Sequence, residues 1–164
     1  MHSAFVVTFM ANVASMFFFL TPDLWKTLPE WIDPQELLEV EPSLTGMVRL
    51  TEGGLTNASI LAFVRRSNLP QRQVAHWIDL SERTIQRDPR DKVLRRSVAD
   101  RLLGLAQLFM RGEEVFGEVD RFNTWLGRPN AVFGGKEPGE LLGSTFGISW
   151  VHDELTRLEH GVVA

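Results

Sequence analysis

From Ile148 onward the apolar residues Ile148, Val151, Leu155 and Leu158 recur at steps of three, four and three. That spacing gathers side chains on one face of a helix, and Gly161 behind them supplies a stop. Upstream, Leu94, Val98, Leu102, Leu105 and Phe109 step by four, four, three and four, which predicts one long helix over Arg90 to Phe116 whose stripe must be buried. Such a helix ties the two ends of the chain together. Gly104 and Gly112 inside it cost roughly 1 kcal/mol each relative to alanine, so a kink or a close helix crossing is expected there. Between these two helices Gly127, Pro129, Gly134, Gly135, Pro138 and Gly139 fall within thirteen residues, too dense in breakers for a long helix or strand. Helical pieces around a tight irregular connection are expected, with little room for a cleft.

The middle of the chain shows shorter periods. Ile60, Leu61 and Val64 face one way on Ala58 to Ser67, with Asn57 expected as the N-cap. Asn68-Leu69-Pro70 ends that helix and Pro70 opens the next, Gln71 to Ile78. After Asp79-Leu80, Ser81 can cap Glu82 to Asp88, where Ile85 lies under a surface of Arg83, Gln86 and Arg87. Two short helices joined by a few residues, the second carrying Arg, Thr and Gln, form the pattern of a helix-turn-helix whose recognition helix enters a major groove. Arginine and glutamine can contact guanine and adenine edges bidentately, so Gln71, Arg72, Ser81, Arg83, Thr84, Gln86 and Arg87 are the candidate DNA-binding residues. A plain helical hairpin with a solvated basic face suits the same pattern. No strand-like alternation of useful length occurs, and the fold class expected is all-α.

The opening is different in kind. Ala4 to Leu20 is a seventeen-residue apolar run whose polar members are Thr8, Asn12 and Ser15, at the lower edge of a membrane span. No Lys or Arg precedes it and no small-x-small cleavage site follows before Thr21-Pro22, as a secretory signal would require. A core helix or a start codon placed too far upstream are the plainer readings, with Met10, Met16 and Met47 as other starts. Trp25 to Val40 mixes Trp31, Ile32, Leu37 and Leu38 with acids at helical spacing, and Pro42 to Gly54 is turn-rich and reads as a linker.

Charge sharpens the middle segment. The net charge of -4 conceals one Lys or Arg against six Asp or Glu over residues 1–46, twelve against six over 47–111, and four against nine over 112–164. A basic segment between two acidic ones fits a nucleic-acid face beside regions that repel phosphate. With 164 residues, 44% of them hydrophobic, the chain can bury an ordinary core as one domain or two small ones. The absence of cysteine excludes disulfides, thiolate nucleophiles and Cys-based metal sites, and suits a reducing compartment. Catalysis fits poorly. The histidines His2, His76, His152 and His160 have no metal-ligand spacing, and neither a nucleophile elbow nor a Walker sequence is present. Gly134-Gly135-Lys136 lacks the preceding strand, glycine spacing and following Ser or Thr of a phosphate loop. No catalytic residue, metal site or cofactor is therefore assigned.

Ser81-Glu82-Arg83-Thr84-Ile85-Gln86-Arg87, Arg101-Leu102-Leu103, Glu114-Val115-Phe116-Gly117, Trp125-Leu126-Gly127-Arg128-Pro129-Asn130, Pro138-Gly139-Glu140-Leu141-Leu142 and Leu158-Glu159-His160-Gly161 resemble, in that order, the Xre/MbcA/ParS antitoxins of RES-domain toxin–antitoxin pairs. The resemblance spans about residues 50 to 164. It implies an N-terminal extension over 1–49, an Xre-like helix-turn-helix domain over 50–111 and a toxin-binding domain over 112–164, the last two joined by the long helix. It also implies a RES-domain partner toxin that consumes NAD, repression of the pair's own operon through operator DNA, a homodimer within a toxin–antitoxin hetero-oligomer, and a cytoplasmic location without a membrane partner. The toxin-binding residues it implies are Trp125, Leu126, Arg128, Leu141, Leu142, Val151, Leu155, Leu158, His160, Gly161 and Val162. In the family the C-terminal end lies close to the toxin's NAD pocket, so the tip from His160 to Ala164 is expected to act as a plug. Trp125 and Leu126 suit domain core better than direct contact, because large apolar residues are mostly buried. His160 also reads as a helix-end histidine favoured by the helix dipole. Two features depart from the family pattern: the apolar opening, and Asp88-Pro89, which shortens the recognition helix. A helix-turn-helix regulator without a toxin is the competing reading.

Overall fold

The structure is a computed structural model that describes residues 22–161; the apolar run Ala4 to Leu20 and the tip Val162 to Ala164 lie outside the described residues. The described chain is helical, with one isolated bridge between Thr56 and Val93. Among the described residues nine α-helices follow in order: α1 Pro22–Thr27, α2 Leu44–Arg49, α3 Asn57–Ser67, α4 Gln71–Trp77, α5 Glu82–Arg87, α6 Arg96–Phe116, α7 Val119–Leu126, α8 Pro138–Leu141 and α9 Thr145–Glu159. Short 3-10 turns at Leu28–Glu30, Pro34–Leu37 and Ala131–Phe133, and a π turn at Leu50–Gly54, connect them.

The 21-residue α6 is the axis. Val98, Leu102, Leu105 and Phe109 are buried along it, as their spacing requires, and α3, α7 and α9 all pack against it. It starts at Arg96 and not at Arg90. Residues 90–94 are used otherwise: the amides of Asn57 and Ala58 donate to the carbonyls of Lys92 and Arg90 at 2.9 and 2.8 Å, and the Leu94 amide donates to Leu55 O at 2.9 Å. Backbone groups committed to the entry of α3 cannot also begin a helix.

Gly112 shows why a glycine is tolerated inside α6. A Cβ there would lie 2.4 Å from the Phe122 ring, so the absent side chain lets α7 cross closely. Gly104 faces Ile148 of α9, where an added Cβ would lie 3.7 Å away in ordinary contact. Gly112 is therefore the site of the close crossing, and neither glycine breaks the helix, since α6 runs through both.

The described chain before α3, the expected linker Pro42 to Gly54 included, is part of the core. Leu28, Trp31 and Ile32 are at most 1% exposed, and Leu50 and Met47 join them. Trp31 lies 5.7 Å from Phe63 and 5.6 Å from Phe109, ring to ring, while Arg66 sits 4.6 Å over its face. Two prolines, Pro29 and Pro34, open 3-10 turns here, so the i, i+3, i+4 spacing of Leu28, Trp31 and Ile32 is met by short turns and not by one continuous helix. Glu36 completes the attachment. Its carboxylate accepts from the Thr56 amide at 2.8 Å, from Thr56 Oγ1 at 2.5 Å and from Ser59 Oγ, and so satisfies free donors at the start of α3. Burial raises the Glu36 carboxyl above its ordinary value; the bonds from Ser59 and Thr56 oppose that in part, and Asp33 adds to it.

An unbroken series of rings runs through the molecule. Trp31 meets Phe109, Phe109 meets Phe122 at 5.0 Å, Phe122 meets Trp125 at 5.9 Å, Trp125 meets Phe133 at 6.3 Å and Phe133 meets Trp150 at 5.1 Å. Each lies in the range where aromatic pairs attract beyond their buried area. No helix among the described residues is long and apolar enough to cross a membrane.

Candidate nucleic-acid and partner surfaces

α4 and α5 form the expected helix pair. Trp77, Ile78 and Ile85 are buried, with the Trp77 ring 6.1 Å from Phe109 of α6, and Asp79 takes a left-handed conformation (φ 59°) that turns the chain, with the Leu80 amide bonded to Ala75 O at 2.9 Å. Ser81 caps α5 as its sequence position suggests, accepting from the Thr84 amide at 3.0 Å. Asp88 is extended (φ -72°, ψ 137°) and ends α5 after Arg87, so Pro89 does shorten the recognition helix.

Asn57 departs from expectation. Thr56 is the N-cap of α3, accepting from the Ala58 amide at 3.3 Å. The buried Asn57 side chain instead donates to Ile85 O and Asp88 O, both at 2.9 Å, and holds the C-terminal end of α5. Its partners lie 28 and 31 residues away, which no local pattern reveals.

The proposed DNA readers separate by their surroundings. Arg72, Arg83, Gln86 and Arg87 are exposed, and Arg87 reaches Asp88 Oδ1 at 3.0 Å. Ser81 and Thr84 bond one another at 2.8 Å, and the Gln71 amide donates to Glu82 O at 3.4 Å. These last three therefore have structural duties within the motif.

The C-terminal residues divide in the same way. Leu126, Leu142, Val151 and Leu155 are at most 4% exposed, so they shape the surface from beneath and offer a partner no side-chain contact. Trp125 is half-buried, stacked on Phe122 at 19°. Arg128, Leu158, His160 and Gly161 are exposed and Leu141 is half-buried; Val162 lies outside the described residues. Gly161 has φ 66° just past the His160 cap and ends α9 as expected.

Phe146 and Trp150 stand outside the apolar stripe that the spacing picks out. Phe146 is 77% exposed and Trp150 37%, and with Ser149 and Asp153 they line a shallow open concavity of about 180 Å3. They lie opposite the Ile148, Val151, Leu155 stripe at an i, i+4 spacing. Aromatics on the face away from a buried stripe are the signal by which the sequence could have shown them. The base of α9 is fixed by Arg111, which pairs with Glu114 at 2.8 Å and with Glu159. Burial lowers the Arg111 guanidinium, but its bonds to Glu114 and Glu159 outweigh this and leave it raised. Burial also holds the neighbouring His152 below its ordinary value.

The two surfaces are rigidly spaced. Arg66 on α3 bonds Glu113 on α6 at 2.6 and 2.7 Å, Asn123 on α7 donates to Ser67 O at 2.8 Å, and the Trp77 indole donates to Gly139 O at 2.9 Å. A groove of about 380 Å3 lies beside that last bond, between α4, α7 and α8. The expectation of little room holds within the C-terminal part but not at this junction. Gly134 and Gly135, both at positive φ, close a turn in which the amides of Asn130 and Gly135 bond Lys136 O and Asn130 O, each at 3.0 Å. The two glycines serve that turn.

Residues 46–107 match the antitoxin Xre-like helix-turn-helix domain, and residues 111–161 match the antitoxin Xre/MbcA/ParS C-terminal toxin-binding domain. Antitoxin Xre of Pseudomonas putida is 30% identical over 118 residues, 71% of this chain and 65% of that relative. The chain belongs to the Xre/MbcA/ParS antitoxin family. The aligned part takes in just under two thirds of the Pseudomonas protein. In this chain the two matched stretches meet inside α6, on either side of the buried Leu108, Phe109 and Met110, and the Phe146 and Trp150 ridge falls within the second.

Proposed function

We propose that the chain is the antitoxin of a type II pair, neutralising a RES-domain, NAD-consuming toxin by direct binding and repressing its own operon through operator DNA, in the cytoplasm. The exposed Phe146 and Trp150 ridge within the stretch that matches a toxin-binding domain carries this reading. An aromatic anchor that stands mostly in water is costly to leave bare and is a preferred centre for a protein interface. Leu158, Arg128 and His160 extend the same domain's exposed surface, and the tip beyond Gly161 fills the toxin's NAD pocket. Repression rests on Arg72, Arg83, Gln86 and Arg87, whose exposed side chains suit base edges and phosphates. Assembly as a homodimer within the toxin complex belongs to the same proposal.

Phe146→Asp tests the ridge, because so exposed a residue can be changed without disturbing the core. Co-expressed with the RES-domain toxin from the neighbouring gene, the variant should keep its helical circular dichroism, lose the co-purifying toxin, and leave measurable NAD consumption. Full inhibition and intact co-purification would remove the ridge from the toxin interface. Deleting His160 to Ala164 tests the tip: Glu159 keeps its partner Arg111, so α9 should persist while toxin in the complex regains NAD consumption.

A further inference from the structure

The segment after the recognition helix carries a dense set of cations. Arg90, Lys92, Arg95 and Arg96 are exposed within seven residues, directly after the exposed Arg83 and Arg87. Three acids stand among them or just before, Glu82, Asp88 and Asp91. Of these, Asp88 is engaged by Arg87, while Arg96 faces Glu52 at 3.3 Å with both side chains more than half exposed. Arg90, Lys92 and Arg95 have no carboxylate within ion-pair distance among the described residues. Their charges add no ion pair to the described fold. Arg95 and Arg96 even stand at the start of α6, the end at which the helix dipole disfavours positive charge.

A solvated charge run would need no scaffold, yet this one is stitched at nearly every residue. The carbonyls of Arg90 and Lys92 accept from the first amides of α3, Val93 bridges Thr56, and the Lys92 amide donates to Pro89 O at 3.1 Å. The Asn57 side chain that fixes the end of α5 at Ile85 O also fixes the start of this segment at Asp88 O. One buried amide thus sets the bearing of the cations relative to the recognition helix.

We infer that Arg90, Lys92 and Arg95 form a phosphate grip on duplex DNA, separate from the base-reading face of α5. The inference rests on the operator-binding reading above and assigns the two halves of that binding to different residues. Phosphate contacts set affinity and register but carry no sequence information, whereas base-edge contacts discriminate. The grip compensates for a recognition helix of only six residues, which presents few side chains to a groove.

The test uses the full chain, a duplex carrying the sequence upstream of its own gene, and an unrelated duplex of equal length, across a series of salt concentrations. Replacing Arg90, Lys92 and Arg95 together with Ala should weaken both duplexes by the same factor. It should also reduce the slope of log affinity against log salt by about 2 to 3, close to one counterion for each phosphate that the protein no longer neutralises. The preference for the upstream duplex should remain. Arg83→Ala with Gln86→Ala should do the reverse, erasing most of the preference with a smaller change in slope. Wild-type slope in the triple variant, with unchanged helical circular dichroism, would overturn the grip while leaving operator binding intact; loss of preference in the triple variant would make these residues base readers. If the wild-type chain binds neither duplex in a salt-dependent way, the operator reading fails and the grip with it.

Discussion

Trp31→Ala measures how firmly the first fifty residues belong to the fold. The indole is 1% exposed, touches the Phe63 and Phe109 rings, and carries the Arg66 guanidinium on its outer face. Truncating a buried tryptophan to alanine costs about 3 to 5 kcal/mol, because the surroundings close only partly over the cavity. Losing the half-exposed cation contact adds about 0.5 to 1 kcal/mol. Against a typical domain stability of about 5 to 15 kcal/mol, that is a large share. For a chain of this length each kcal/mol moves the midpoint by about 2 to 4 °C, so thermal unfolding followed at 222 nm should shift down by roughly 7 to 24 °C. The Arg66 to Glu113 pair remains, so the variant should still fold at low temperature. A shift below about 2 °C would mean that the indole is not packed as described, and that the early segment is an accessory. On the same reasoning a chain starting at Met47, which lacks Leu28, Trp31, Ile32 and Glu36 together, should fail to give a cooperative transition.

Gly112→Ala gains helix propensity of about 1 kcal/mol, yet the new methyl would press on the Phe122 ring, so a net loss of about 1 to 2 kcal/mol in urea unfolding is expected; a more stable variant would refute the close crossing. Glu36→Gln probes the raised carboxyl. A folded-state value above the unfolded one means that the fold favours the protonated acid, so this stability is present at low pH and lost as pH rises through the folded value. Wild type should therefore lose stability relative to the Gln variant as pH rises past the ordinary carboxylate range, and a difference that stays flat or grows with pH would contradict the burial argument.

Much of the architecture was legible because its helices are amphipathic. The stripes on α6 and α9 required burial and received it except at their ends, where Leu94 precedes α6 and Leu158 stays 37% exposed; the Ser81 cap and the Pro89 stop bound the recognition helix, and Gly112 announced a close crossing. Illegibility had two sources. Leu28, Trp31 and Ile32 do keep an i, i+3, i+4 spacing, but Pro29 and Pro34 break their stretch into short 3-10 turns, so the pattern is too brief to mark a buried helix, and their partners Phe63 and Phe109 are far along the chain. Asn57 has the look of a cap because the neighbouring Thr56 is one; its real bonds depend on where α5 comes to rest. In the C-terminal part, apolar residues at Leu126, Leu142, Val151 and Leu155 resemble contact residues but hold the core. The side chains that do face outward, Phe146 and Trp150, form an i, i+4 pair too short to stand out beside the four-residue stripe on the other face.

The line of rings from Trp31 to Trp150 bears on how this protein can be taken apart. The two matched stretches divide at residues 108–110, in the middle of one uninterrupted helix, where Phe109 touches Trp31, Phe63, Trp77 and Phe122 at once. A protease nick or a gene fusion at that seam would split the central ring from half of its neighbours, leaving two fragments with exposed aromatic wounds. The helix-turn-helix half could not outlive the C-terminal half. On the function proposed above, proteolytic turnover would then relieve the promoter and free the toxin in a single event, and hybrids assembled by exchanging halves between relatives would inherit a mismatched seam.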